Sequence, residues 1–247
     1  MSLAGLGKAA ALPFDAVSWV AKWVDRRRDC SFDKSFGIET EAWEAGRSWS
    51  GNHTEAYCPT PARLFKRIIR KTHVDPGDFA FIDLGCGKGR TLLLASVYGF
   101  ARVFGVELDE RLCALARRNL DRWFAESGGA AATIIHGDAR DVPMPQGNLF
   151  VFMFNPFTGP IFDEVARRLA TIAREEHRAV LVAYSNDVCG DRLERTGAFR
   201  RIRLRRLQFW RRSKISFFYN ETAWRLQSLT FAMADRKIRE HAPHSCR

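Results

Sequence analysis

Phe81-Ile82-Asp83-Leu84-Gly85-Cys86-Gly87-Lys88-Gly89-Arg90 is the stretch on which the fold turns. Its apolar half, with Phe79 and Ala80 before it, reads as a strand buried on both faces. Thr91–Tyr98 after it reads as a helix. Between them stand three alternating glycines. Without Cβ atoms the chain can turn tightly there and bring backbone amides against a ligand at the mouth of the helix. In an open α/β sheet that crevice, at the carboxyl ends of the strands, is the binding site. The spacing separates candidate ligands. A nucleoside triphosphate loop requires G-x-x-x-x-G-K-[S/T], but Gly85 to Lys88 is too short and Gly89 stands where the hydroxyl belongs. A dinucleotide loop requires G-x-G-x-x-G, and Arg90 occupies the place of its third glycine. What remains is G-x-G-x-G behind an acid, Asp83.

Outward from the loop, strands and helices alternate. Leu64, Phe65, Ile68 and Ile69 mark one face of a short basic helix before it. After it come a strand Arg102–Val106 ending at Glu107 and a helix on Leu112, Leu115, Ala116 and Leu120. A short strand Thr133–His136 follows, then an apolar strand Leu149–Phe154 stopping at Asn155-Pro156. Ile161–Ala173 reads as a helix and Ala179–Tyr184 as a strand, while Phe199–Leu207 and Lys214–Tyr219 form a terminal antiparallel pair. The pattern predicts an α/β fold, a doubly wound and mostly parallel sheet with an antiparallel terminal strand. It divides the chain into an N-terminal helical extension and connector (1–56), a binding domain (57–220) and a C-terminal helix and tail (221–247).

The chain has 247 residues and a formal net charge of +11, with 46% hydrophobic and 27% charged residues, which excludes a disordered chain. No apolar run approaches the roughly 18 residues of a membrane span. In the extension, Phe14, Val17, Val20, Ala21 and Val24 recur at helical spacing beside Trp19 and Trp23, and Asp25-Arg26-Arg27-Arg28 closes the segment. That helix suits either packing on the main domain or contact with a membrane surface. Cys30, Cys58, Cys86, Cys113, Cys189 and Cys246 form no C-x-x-C pair, so no metal site is expected. With no secretory signal, the thiols are expected to be reduced and the protein cytoplasmic.

The loop with its preceding acid resembles motif I of the class I S-adenosylmethionine-dependent methyltransferases, and the resemblance extends over roughly residues 57–219. It implies that Asp83, Gly85, Cys86, Gly87 and Gly89 surround the methionine part of S-adenosylmethionine. Glu107 ends the next strand, where a carboxylate can accept both ribose hydroxyls, with Leu108 beside it. His136-Gly137-Asp138-Ala139 resembles the family's adenine-contacting turn. There Asp138 would accept from the adenine amino group and Ala139 would offer its amide. Phe32–Thr40 and Tyr57-Cys58-Pro59-Thr60-Pro61 resemble segments preceding motif I in a bacterial subgroup, so Tyr57 and Thr60 are candidate lid contacts or helix-entry residues.

Phe154-Asn155-Pro156-Phe157 resembles, one proline short, the [N/D]-P-P-[F/Y] motif of amino-group methyltransferases. The resemblance implies that Asn155, which also borders the cofactor, and Pro156 position a nitrogen acceptor while Phe157 packs on a planar substrate. The alternative is a turn in which Asn155 caps the helix near Ile161. Arg200, Arg201, Arg203, Arg205, Arg206, Arg211, Arg212 and Lys214 form a basic segment beside Phe209 and Trp210, suited to nucleic-acid contact or to a solvated face. A strand would set Arg201, Arg203 and Arg205 on one face. The expected function is methyl transfer to nitrogen on a protein side chain or nucleic-acid base. The alternative is a nucleic-acid-binding protein with a regulatory or vestigial pocket. An aminopropyl transferase is disfavoured, because those enzymes carry an acid where Asn155 sits.

Overall fold

A computed structural model describes residues 31–42, 57–127, 131–203 and 215–227. The expected extension helix within 1–28, residues 204–214 of the basic segment and the tail from 228 lie outside these residues. Seven strands form one sheet: β1 (Phe79–Leu84), β2 (Arg102–Glu107), β3 (Ala132–His136), β4 (Asn148–Phe154), β5 (Val180–Ser185), β6 (Arg200–Arg203) and β7 (Ile215–Tyr219). Their order is β3-β2-β1-β4-β5-β7-β6, with β7 antiparallel to both neighbours and every other pairing parallel. The helices are α1 (Ala62–Thr72), α2 (Arg90–Ser96), α3 (Glu110–Ser127), α4 (Gly159–Glu175) and α5 (Gly190–Arg195). The doubly wound, mostly parallel α/β class is the one the alternating pattern predicts.

β1 and β5 are buried along their whole length, and β4 over its centre. Their unbroken apolar sequence is what a strand covered on both faces requires. Alternation along each strand then sorts the side chains. Phe79 and Phe81 of β1 join Phe150 and Phe152 of β4 and Phe65 of α1 in one core layer, which also holds Leu92, Leu93 and Leu94 of α2 and Leu120 and Trp123 of α3. Ala80, Ile82 and Leu84 face the opposite layer, under Ile161, Phe162, Val165 and Leu169 of α4. The Phe81 ring is 5.7 Å from Phe150 and 5.0 Å from Phe100, all three fully or nearly fully buried. Truncating such a ring to Ala costs about 3–5 kcal/mol.

Two short segments flank this body. Residues 31–42, within the stretch read as connector, deliver Ile38 to the first core layer. Residues 221–227 are helical and contribute Ala223, with Trp224 packed beside it. β1 and β4 are neighbours, yet the connection from β1 runs outward to β2 and β3 before the chain returns through β4. The strand order therefore reverses between them, and a crevice opens at their carboxyl ends.

Candidate functional site

The loop after β1 enters that crevice. Gly85, Gly87 and Gly89 all have positive φ, at 85°, 54° and 83°, so the three glycines are demanded by the backbone. Gly85 and Cys86 donate their amides to the Val106 carbonyl, which anchors the loop to the end of β2. The Cys86 thiol turns inward against Gly105, whose absent Cβ leaves it room, and burial pushes its pKa up. Cys86 thus meets the crevice through backbone alone. A Cβ on Gly89 would come within 3.2 Å of the Ala116 methyl, so the third glycine also sets how closely α3 approaches.

Asp83 lies on the first-layer side of β1, 2% exposed. Its Oδ2 accepts from the Thr91 hydroxyl of α2, while Oδ1 is buried with no hydrogen-bond partner. Burial raises its pKa from the ordinary 3.8 to about 7, against the lowering effect of Thr91. Glu107 ends β2 as expected and accepts from three amides: Gly87 at 2.8 Å on Oε2, and Leu108 at 2.9 Å and Asp109 at 3.0 Å on Oε1. Burial raises its pKa too, and the three amides oppose the rise. The Leu108 carbonyl accepts from His136 Nε2 at 3.1 Å.

After β3, Asp138 forms a two-pronged pair with Arg140, from Nε to Oδ1 at 3.0 Å and from Nη2 to Oδ2 at 2.7 Å. The Arg140 bonds hold the Asp138 carboxyl below its usual range. Oδ2 keeps a second lone pair, so an adenine amino group would share this carboxylate with Arg140. Ala139 is buried beside it, its carbonyl accepting from Arg168 at 3.3 Å.

From the other side of the reversal, β4 delivers Asn155 in a left-handed conformation, φ 45°, and 7% exposed. Its Oδ1 accepts from the Tyr184 hydroxyl of β5 at 3.0 Å. No side chain caps α4, whose N-cap is Thr158, so the capping alternative for Asn155 is not what the structure shows. Pro156 fills the space that a Gly85 Cβ would take. Phe157 is 6% exposed and its ring packs 6.2 Å from Phe162 in the second core layer. Tyr57 lies over the loop, its ring occupying the Cβ position of Gly87, and Thr60 is buried at the entry to α1.

Residues 81–176 match the family model described as a methyltransferase domain. That match spans 96 of the 247 residues, so this part of the chain is similar to a methyltransferase domain. The cofactor of such domains is S-adenosylmethionine. Over 80 residues the chain is 34% identical to the ribosomal protein L11 methyltransferase of Desulfosudis oleivorans, a match covering 32% of this chain and 26% of that protein. Among solved structures it resembles an RNA methyltransferase from Salinibacter ruber in complex with S-adenosyl-L-homocysteine. That likeness has 21% identity and a TM-score of 0.45, over 66% of this chain and 93% of the other. It also resembles TrmN from Thermus thermophilus, at 17% identity and a TM-score of 0.48, over 65% of this chain and 49% of the other.

The residues of the crevice fit this cofactor. A buried carboxylate oxygen without a donor, Asp83 Oδ1, suits an ammonium group, and the positive-φ glycines suit an approach to backbone. Glu107 has one acceptor position left beyond its three amides, so a ribose diol would share Oε2 with Gly87. Among the described residues no His, Cys, Asp or Glu cluster is placed to hold a metal ion. No described helix is long and apolar enough to cross a membrane.

Sequence reasoning missed Tyr184, Thr91 and Asp33, because each acts through a neighbour brought close only by folding. The structure also corrects the basic stripe. Arg201 has a side chain 6% exposed, pairs with Asp187, Asp191 and Glu194, and lies 5.3 Å from the Phe218 ring centre. It is an internal counter-charge, not a phosphate contact. Arg200 and Arg203 are exposed beside Glu221 at 3.6 Å and Asp191 at 3.7 Å.

Proposed function

We propose that this protein transfers the methyl group of S-adenosylmethionine to a nitrogen of a nucleic-acid base. The observation that carries the reading is the seat of Pro156 on Gly85, which abuts Asn155 on the glycine loop. A sulfonium methyl is already activated, so the protein must hold an acceptor lone pair in line with the S–CH₃ bond and keep water away. Alignment supplies most of the acceleration in such a reaction. Asn155, fixed by Tyr184, would orient the acceptor amine without removing a proton. Asp83, Glu107 and Asp138 would hold the cofactor's amino group, ribose and adenine in turn, with Tyr57 above them.

A polyanionic acceptor is supported by α1. Arg63, Lys66, Arg67, Arg70 and Lys71 are exposed along it, and no acid lies between Ala62 and Thr72. Such a face supplies salt-sensitive attraction for phosphates. A protein amino group is the second reading, on the match to an enzyme named for ribosomal protein L11. The thiols of Cys86, Cys113 and Cys189 suit a cytoplasmic setting, and residues 57–220 are proposed as the transferase unit.

The test supplies the purified protein with methyl-labelled S-adenosylmethionine and separate RNA, DNA and protein fractions. Label is expected in nucleic acid, at a base nitrogen after digestion. Asn155→Gly, which keeps the left-handed backbone, should lose transfer while retaining S-adenosylhomocysteine binding. Label in protein alone would establish the second reading. Cofactor and nucleic-acid binding without transfer would replace both with a binding protein whose pocket is regulatory.

A further inference from the structure

The segment Phe32–Thr40 is wired to the glycine loop through three separate connections. The first is Asp33. Its side chain is nearly buried and accepts from the Thr40 amide at 2.6 Å, the Thr40 hydroxyl at 2.7 Å, the Glu41 amide at 2.7 Å and Arg90 Nη1 at 3.0 Å. Arg90 is the residue directly after the last loop glycine and the first of α2; it is 1% exposed, donates also to Thr40 Oγ1 at 2.7 Å, and lies 5.1 Å from the Phe32 ring centre. The second is Asn119 of α3, fully buried. It exchanges hydrogen bonds with the backbone of Glu39, at 3.0 and 3.3 Å, and donates to the Lys88 carbonyl of the loop at 3.0 Å. The third is Tyr57, whose hydroxyl donates to the Thr40 carbonyl at 2.6 Å while its ring rests on Gly87. The Lys88 ammonium lies 5.6 Å from the centre of that ring.

We infer that residues 31–42 form a strap that shapes the cofactor site, with Asp33 and Arg90 as positioning residues that hold Tyr57 in place over the glycine loop. The inference rests on the reading of this crevice as the S-adenosylmethionine site. The physical argument is one of burial. A guanidinium and a carboxylate taken out of water at the edge of a ligand loop stabilise little by themselves, because their desolvation offsets their attraction. Their geometric consequence is large: they fix the Thr40 carbonyl, Thr40 fixes the Tyr57 hydroxyl, and the Tyr57 ring rests on Gly87. A cofactor seated on the loop beside that ring is shielded on one side from water without any contact to the strap. Coupling of this kind is reciprocal, so a ligand that gains from the strap must also stabilise the strap.

S-adenosylhomocysteine is the probe, since its binding needs no acceptor. Two readouts are calorimetric affinity and amide hydrogen exchange of the full chain. In the wild type, saturating ligand should slow exchange at Thr40 and Glu41 as well as across Gly85–Arg90. Tyr57→Phe keeps the ring on Gly87 and removes one hydrogen bond, so affinity should fall about 2- to 10-fold, and the slowing at Thr40 and Glu41 should disappear. Asp33→Asn should weaken binding about 10-fold or more. Because both variants cut one chain of contacts, Tyr57→Phe added to Asp33→Asn should cost little further. If Asp33→Asn does not fold, Tyr57→Phe and the exchange pattern decide alone. Wild-type affinity in Tyr57→Phe, or slowing confined to Gly85–Arg90, overturns the strap and leaves the cofactor reading intact. Absence of wild-type binding overturns both.

Discussion

Replacing Asp83 by Asn should stabilise the free protein at alkaline pH and damage its site. The carboxyl is 2% exposed, has one oxygen without a partner, and titrates near pH 7 instead of 3.8. Between those values the folded chain holds a proton that the unfolded chain has released. More protons are bound when folded, so this group's contribution to stability falls as pH rises from about 4 to about 7. At about 1.4 kcal/mol per pH unit the loss is at most about 4 kcal/mol, fully present above pH 8. Asp83→Asn removes it while still accepting from Thr91. Urea denaturation of both proteins at pH 4.5, 6 and 8 measures the effect as a widening gap in favour of the variant. A ligand ammonium would compensate the buried charge, so wild-type affinity for S-adenosylhomocysteine should rise from pH 6 to pH 8. The variant should bind at least about tenfold more weakly at pH 8, the loss of one charge-assisted bond, and without that pH dependence. A stability gap that is constant across pH would refute the titration argument. Equal affinity at pH 8 would refute the role of Asp83 in holding the cofactor.

Gly87→Ala places a Cβ on the Tyr57 ring at φ 54°, combining about 1 kcal/mol or more of backbone strain with displacement of the ring. S-adenosylhomocysteine affinity should fall at least about tenfold in calorimetry while circular dichroism stays native. Glu107→Gln keeps one acceptor for the Leu108 and Asp109 amides but loses the charge facing Gly87, and an affinity loss of about 10- to 100-fold should follow. Arg201→Met strips the fully buried Asp187 side chain of its counter-charge and should destabilise the fold by about 3–5 kcal/mol in urea melts. Any nucleic-acid binding by the folded variant should keep its salt slope, whereas Lys66→Glu with Arg70→Glu on α1 should flatten it.

The loop from Phe81 to Arg90 could be read correctly from the chain because its reasons are local. Alternating glycines permit positive φ whatever surrounds them, and an unbroken apolar run must be buried on both faces. Glu107 and Asn155 were legible for the same reason, since each ends a strand and strand ends in a parallel sheet converge on one edge. The basic segment after Phe199 misled through Arg201. Alternation correctly indicates that Arg201 and Arg203 share a face, but carries no information about the three acids on and before α5 that meet Arg201 there. The packing of Phe157 on Phe162 was not legible either, because the side of the turn on which a ring falls depends on the docking of α4.

Residue order along the chain was therefore enough for the strand and helix succession, the positive-φ glycine loop and the placing of Asp83 and Glu107 on the strands beside it. Each of these follows from backbone freedom, from a period of burial or from the end of a strand. Contacts between distant segments needed the folded chain. The Asp33–Arg90 pair, the Tyr184–Asn155 hydrogen bond, the Tyr57 ring on Gly87 and the donorless oxygen of Asp83 all depend on which surfaces meet. No periodicity encodes such meetings, because they are settled by the packing of helices and loops against one sheet edge, and that packing is where charges are buried and pKa values move.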